Sequence, residues 1–149
     1  MQIESARLGT IEIEQDKIIH FPQGILGFQE ERQFALIPAG EDNPFYFLQS
    51  VTSADICFIV TEPHLFFKDY DIELIEEVVE TLSIAKAEDV AIYTIVTIKE
   101  NFKQSTTNLQ APLVVNANNF TALQYVVDSD QYITRQQLFP NSDDEVKEG

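Results

Sequence analysis

The sequence predicts a mainly β protein: an antiparallel-dominated, β-barrel-like single domain with one long α-helix. Three observations lead there. Short apolar or alternating runs rich in Ile, Val, Phe, Tyr and Thr recur along the chain. The breaks between them carry turn residues, as in 14-EQDK-17, 38-PAGEDNP-44 and 116-NANN-119. Only 71-DIELIEEVVETLSI-84 spaces its apolar residues as a helix does. Many short strands with short connections favour a barrel or a sandwich. With 149 residues, 44% of them hydrophobic, the chain suits one domain with a real core. That domain is placed at 1–139, and the acidic remainder, 140–149, lacks apolar anchors and is expected to be disordered.

Taken in order, 10-TIEIE-14 and 17-KIIHF-21 open the series of strands. The octet 21-FPQGILGF-28 then turns the chain, since Phe21-Pro22-Gln23-Gly24 suits a type I turn with Pro second and Gly fourth. Ile25, Leu26 and Phe28 are expected to tuck into the core, with Gly27 allowing close backbone approach. Neither GxGxxG nor GxxxxGK[ST] occurs there, so the octet is not a nucleotide loop. The runs 34-FALI-37, 45-FYFLQS-50, 56-ICFIVT-61, 90-VAIYTIVTI-98, 113-LVV-115 and 123-LQYVV-127 supply the other strands. Cys57, the single cysteine, lies inside one of them and is expected to be a buried, inert thiol. In the helix over 71–84, Ile72, Ile75, Val79 and Leu82 form the apolar face, with Asp71 as cap and Glu73 in the first turn.

Net charge is −16, from 25 acidic and 9 basic residues. That balance argues against direct binding to a phosphate backbone, which needs clustered Lys and Arg, and points to a protein partner, a basic one complementing the charge. The acidity is concentrated: residues 62–89 hold nine acids and two lysines. Within them Glu73, Glu76, Glu77 and Glu80 are neighbours at three- and four-residue spacing on the expected helix, and each like-charge pair costs about 0.2–0.5 kcal/mol. Such a face is either simply solvated or a negative surface kept for its field.

No catalytic constellation emerges. His20 and His64 are the only histidines and lack HxxxH, HExxH or Cys-rich surroundings, so no metal site is expected. There is no GxSxG elbow, and no Trp to stack a sugar beside paired carboxylates. The expectation is a non-enzyme without cofactor. No basic-then-apolar leader and no apolar run of about 20 residues occurs, which points to a cytoplasmic protein that does not enter a membrane.

Three stretches, 21-FPQGILGFQEERQFALIP-38, 44-PFYFLQSVTSADICFIVTEPHLFFKDYD-71 and 106-TTNLQAPLVVNANN-119, together resemble the bacterial flagellar assembly factor FliW family. The combination of G-x-x-G-F, F-x-x-L-Q-S, E-P-x-x-x-F-x-x-Y and N-L-x-A-P-x-x-x-N carries the resemblance, which runs to about Leu138. One departure is 119-NFTALQYVV-127, where the family more often has a basic Gly-Lys-Gln-type turn. The resemblance implies a regulator of flagellum assembly that binds the dimeric RNA-binding protein CsrA and inhibits it allosterically, relieving repression of flagellin mRNA. It also implies capture by newly made flagellin, which frees CsrA again. The rival expectation is an acidic barrel that binds a small ligand or glycan.

Partner contacts are expected at positions that match the family and suit a core poorly. Gln49 and Ser50 end a strand. Glu62, Pro63, Phe67 and Tyr70 form an aromatic and acidic loop before the helix, and Asn108 and Asn116 flank 112-PLVV-115. Aromatic residues with a charged rim are the usual anchors of a protein interface. Phe28, Phe34, Leu48 and Phe58 are assigned to core or turn.

Overall fold

Alternation of inward and outward side chains closes seven strands into a barrel in the computed structural model, which describes residues 1–140. The strands are β1 (Gln2–Ser5), β2 (Gly9–Glu12), β3 (Ile19–His20), β4 (Gln33–Pro38), β5 (Phe45–Ser50), β6 (Cys57–Thr61), β7 (Val90–Thr97), β8 (Thr106–Thr107), β9 (Leu113–Asn116), β10 (Thr121–Gln124) and β11 (Gln136–Gln137). Around the barrel the order is β7-β6-β5-β4-β3-β10-β9, and β9 returns to pair with β7. Every pairing is antiparallel except β10 with β3, which meet in parallel at Thr121 and His20. One edge of β7 is divided, Val90–Tyr93 pairing with β9 and Val96–Thr97 with β8, which in turn pairs with β11.

Inward-facing residues fill the barrel. Phe21, Ile25, Phe34, Leu48, Val60 and Leu113 are each at most 2% exposed and form one cluster, against which Ala91, Tyr93 and Ile95 of β7 pack. The intervening Val90 and Ile92 point the other way, into a second cluster with Val78, Leu82 and Val114. This explains why 90-VAIYTIVTI-98 reads as nearly continuous apolar sequence: both faces of β7 are covered. On the far side, the β1–β2 hairpin covers β5, where Ser5 donates to Gln49 at 2.7 Å and the Arg7 guanidinium lies 5.5 Å from the Phe47 ring centre.

The expected long helix over 71–84 is not formed. The only α-helix among the described residues is α1 (Glu76–Thr81), preceded by an extended strap at 71–75. Tertiary hydrogen bonds hold the strap out of the helix. The Tyr132 hydroxyl accepts from the Asp71 amide at 2.9 Å and donates to the Asp71 carbonyl at 3.0 Å, and the Tyr125 hydroxyl donates to the Glu73 carbonyl at 3.2 Å. Burial in the strap alternates, with Ile72 and Leu74 turned inward and Asp71, Glu73 and Ile75 exposed. Asp71 is therefore no cap, and Ile75 occupies the cap position without a side-chain hydrogen bond. At its C-terminus α1 ends in a Schellman arrangement: the Ser83 amide donates to Glu80 and the Ile84 amide to Val79, with Ser83 at φ 54°.

Other expectations are also revised. In the octet, Gly24 donates its amide to the Phe21 carbonyl, closing the expected turn. The close approach falls at Gly24, where a Cβ would stand 2.5 Å from the Gln29 Cα, and not at Gly27. Only Ile25 enters the core, while Leu26 is 60% and Phe28 40% exposed because a two-residue hairpin at Leu26-Gly27 carries them outward. The run 123–127 joins the sheet only through Gln124, where the strand β10 ends. Cys57 is half-buried, and that burial raises its thiol pKa, with Arg7 opposing more weakly. The expected tail at 140–149 falls, apart from Pro140, outside the described residues.

Candidate protein-docking face

The strap and α1 lie across the outer faces of β7, β9 and β10, packed through Leu74, Val78, Leu82 and Ile84 on Val90, Ile92 and Val114. Side-chain amides fix them there. Asn116 Nδ2 donates to the Leu82 carbonyl at 2.8 Å and to that of Ser83 at 3.2 Å, and Asn119 Nδ2 also reaches Leu82. The carbonyls left over at the end of α1 thus find donors from the barrel. Between the strap and β7 runs a groove of about 490 Å³ whose walls and floor include Ile72, Leu74, Val79, Ile84, Val90 and Ile92, with His64, Asp71 and Lys86 at its edge.

Glu73, Glu76, Glu77 and Glu80 are all exposed on this unit. Among the described residues the ion pairs are Met1 with Glu12 and Glu14 with Lys17, and neither involves an acid of 62–89. The four do not share a helical face as expected, since Glu73 belongs to the strap. Glu76 and Glu77 occupy the first turn of α1, where the helix dipole favours them, and Glu80 stands four residues beyond Glu76.

The expected contact residues divide into two groups. Gln49, Ser50 and Asn116 are at most 2% exposed and spend their polar atoms inside the protein. Gln49 accepts from Ser5, and its amide nitrogen lies 3.1–3.3 Å from the carbonyls of Ser50, Ser53, Ala54 and Ile56. Ser50 Oγ accepts from the amides of Thr52 and Ser53 and donates to Glu31, which ties this turn to the loop after the octet. Asn108 Oδ1 similarly accepts from the amides of Gln110 and Ala111. These side chains shape the loops; their sequence signal marked a structural demand on polar groups at strand ends.

The second group is mixed, with Pro63 and Tyr70 buried and Glu62 and Phe67 partly exposed. Pro63 opens a 3-10 turn, Pro63–Leu65, and is itself buried. Phe67 is partly exposed and lies beside Phe66, which also contacts Phe45 and Phe139. The Tyr70 ring is buried between His64 and Tyr132, and its hydroxyl donates to the Leu109 carbonyl at 2.7 Å. Burial, then the neighbouring Tyr132, holds that hydroxyl well above the usual tyrosine pKa. Glu62 sits by the hydroxyls of Tyr46 and Tyr93; burial first and then this carboxylate raise both, with Tyr93 pushed up to about 12. Sequence reading missed the groove itself and the anchors Tyr125, Tyr132 and Asn119. The alternation of Asp71-Ile72-Glu73-Leu74 was the available signal for an extended strap.

Among the described residues no group of three His, Cys, Asp or Glu side chains is placed to hold a metal, and no helix is long and apolar enough to cross a membrane. An apolar groove bordered by exposed carboxylates suits the binding of another macromolecule.

The family model described as FliW protein matches residues 2–138. The chain belongs to the FliW family. Flagellar assembly factor FliW of Bacillus subtilis (strain 168) is 44% identical over 135 residues, covering 91% of this chain and 94% of that protein. The Oceanobacillus iheyensis protein of the same name is 43% identical over 132 residues, covering 89% and 90%. A solved structure titled as the crystal structure of the flagellar assembly factor FliW superposes with TM-score 0.88 at 38% identity, covering 94% of this chain and 98% of that one. The FliW fold is thus shared at the level of the closed barrel.

Proposed function

We propose that this protein acts in flagellum assembly as a non-enzymatic cytoplasmic regulator, binding and allosterically inhibiting CsrA and being captured in turn by flagellin. Family membership supports the flagellar role. The observation that carries the binding reading is the acidic surface over 62–89, whose carboxylates form no ion pair among the described residues, on a strap and helix anchored by hydrogen bonds. A basic RNA-binding partner complements that charge. Carboxylates within about one Debye length, roughly 8–10 Å, of an RNA path also oppose phosphate binding. The rival reading, a ligand held inside the barrel, meets an interior filled by Phe21, Phe34, Leu48 and Leu113.

The test titrates flagellin into a preformed complex with CsrA at two salt concentrations while free CsrA is measured. Competition, or negative coupling of about 1–3 kcal/mol, raises the apparent dissociation constant for CsrA. Higher salt slows association more than it speeds release. A ternary complex with unchanged CsrA affinity overturns the switch.

A further inference from the structure

We propose that the strap at 71–75 is a conformational latch with two competing states: the extended one, held by the hydroxyls of Tyr125 and Tyr132, and a helical one in which α1 begins one turn earlier. Local sequence and tertiary contacts pull this segment in opposite directions. Asp71 suits a helix N-cap, Glu73 suits the first turn, and Ile72, Ile75, Val79 and Leu82 are spaced for one apolar face. As built, the cap of α1 is Ile75, which has no side-chain cap hydrogen bond and is 51% exposed. Isoleucine is among the poorest residues at that position. Natural sequences rarely set local preference against the fold, and the places where they do are functional or strained.

The tyrosines occupy the acceptors that the helix needs. In a helix starting at Ile72, the amides of Ile75, Glu76 and Glu77 donate to the carbonyls of Asp71, Ile72 and Glu73. In the extended strap the Asp71 carbonyl accepts from Tyr132 at 3.0 Å and the Glu73 carbonyl from Tyr125 at 3.2 Å. Among the described residues no backbone carbonyl accepts from the amides of Ile75, Glu76 or Glu77. Donors and acceptors of the missing turn are thus kept apart by two side chains from 125–132, beyond the end of β10. Passing to the helical state has a defined output. Glu73 leaves the strap and joins Glu76, Glu77 and Glu80 on one face, and exposed Ile75 turns to the apolar side with Val79 and Leu82. Repulsion among the gathered carboxylates opposes that state, so the two hydroxyls decide between arrangements that lie close together.

The test is native-state amide exchange, with Cα chemical shifts, on the isotope-labelled full chain. Tyr125→Phe with Tyr132→Phe removes both hydroxyls and keeps the rings. Exchange at Ile75, Glu76 and Glu77 is expected to slow by at least about threefold, because these amides gain helical partners, and the shifts of 72–75 move to helical values. Plain loss of an anchor would instead leave those amides as fast as before or faster. Glu76→Pro supplies the second arm. At the first position of α1 a proline fits the present helix, and Ile75 before it is already extended at ψ 157°. In the longer helix the same proline stands inside, where it removes the bond to Ile72 and clashes with that turn. Adding Glu76→Pro to the double variant is therefore expected to return Ile75 and Glu77 to wild-type exchange. Thermal melts check that each variant folds; should the double variant not fold, Tyr132→Phe alone, which frees the Asp71 carbonyl, is read in the same way at Ile75. Unslowed exchange in the folded tyrosine variant, or slowing that persists with the proline, overturns the latch. None of these readouts involves a partner, so its failure leaves the CsrA reading standing.

Discussion

Ser83 takes the left-handed position that ends α1, at φ 54°, with its side chain exposed. Glycine adopts that conformation without a Cβ penalty, and Ser does so only because the Schellman hydrogen bonds and Asn116 hold it there. Ser83→Gly is expected to raise stability by about 0.5–1 kcal/mol, read as a higher denaturant midpoint at unchanged slope. Gln49 is the opposite case. It is fully buried, and one side chain satisfies Ser5 together with several carbonyls of the 50–56 turn. Gln49→Ala leaves those groups unmatched around a cavity and is expected to cost about 3 kcal/mol or more in the same measurement. A loss under about 1 kcal/mol would mean that water replaces the amide.

Splitting the expected helix into a strap and a short α1 changes what its glutamates do. In a long helix the four acids would all repel one another, and neutralising any of them would help. In α1 as built, Glu76 sits at the first position and gains from the helix dipole, whereas Glu80 lies in the last turn, where a negative charge is unfavourable. Glu80→Gln is therefore expected to raise stability by a few tenths of a kcal/mol, about 0.2–0.5, by relieving repulsion with Glu76 and Glu77. Glu76→Gln is expected to be neutral or slightly destabilising. Equal gains from both changes, in parallel urea titrations, would show that repulsion alone governs this element.

Across the whole molecule, the packing of tyrosines into the barrel and under the strap links stability to alkaline pH. Tyr46, Tyr70 and Tyr93 all have raised pKa values because burial disfavours the phenolate, and Tyr93 reaches about 12. The ordinary unfolded value is about 10. Between those two values the unfolded chain releases protons that the folded one keeps, so the stability contributed is fully present below about pH 10 and falls as pH rises toward 12. Unfolding free energies measured across that window should decline, and Tyr93→Phe should decline less steeply. An unchanged slope in Tyr93→Phe would place the linkage on the other tyrosines.

By itself the sequence determined the period-two strands, the turn at Phe21–Gly24, the acidic stretch over 62–89 and, through its motifs, the family. These are local or additive properties: alternation, a proline and a glycine at set positions, and a sum of charges need no partner in space. Only the tertiary structure decided how the segment 71–84 folds, because the hydroxyls of Tyr125 and Tyr132, some 50 to 60 residues away in sequence, compete with helical hydrogen bonds for the strap backbone. It also decided that Gln49, Ser50 and Asn116 turn inward. A polar residue at a strand end reads the same whether it meets a partner or a bare carbonyl, and in this fold the chain presents the carbonyls of the 50–56 turn and of Leu82. The groove has no signature in the sequence at all. It exists because aliphatic residues from the strap, α1 and β7, each spaced for its own element, are brought face to face when β9 closes the barrel on β7.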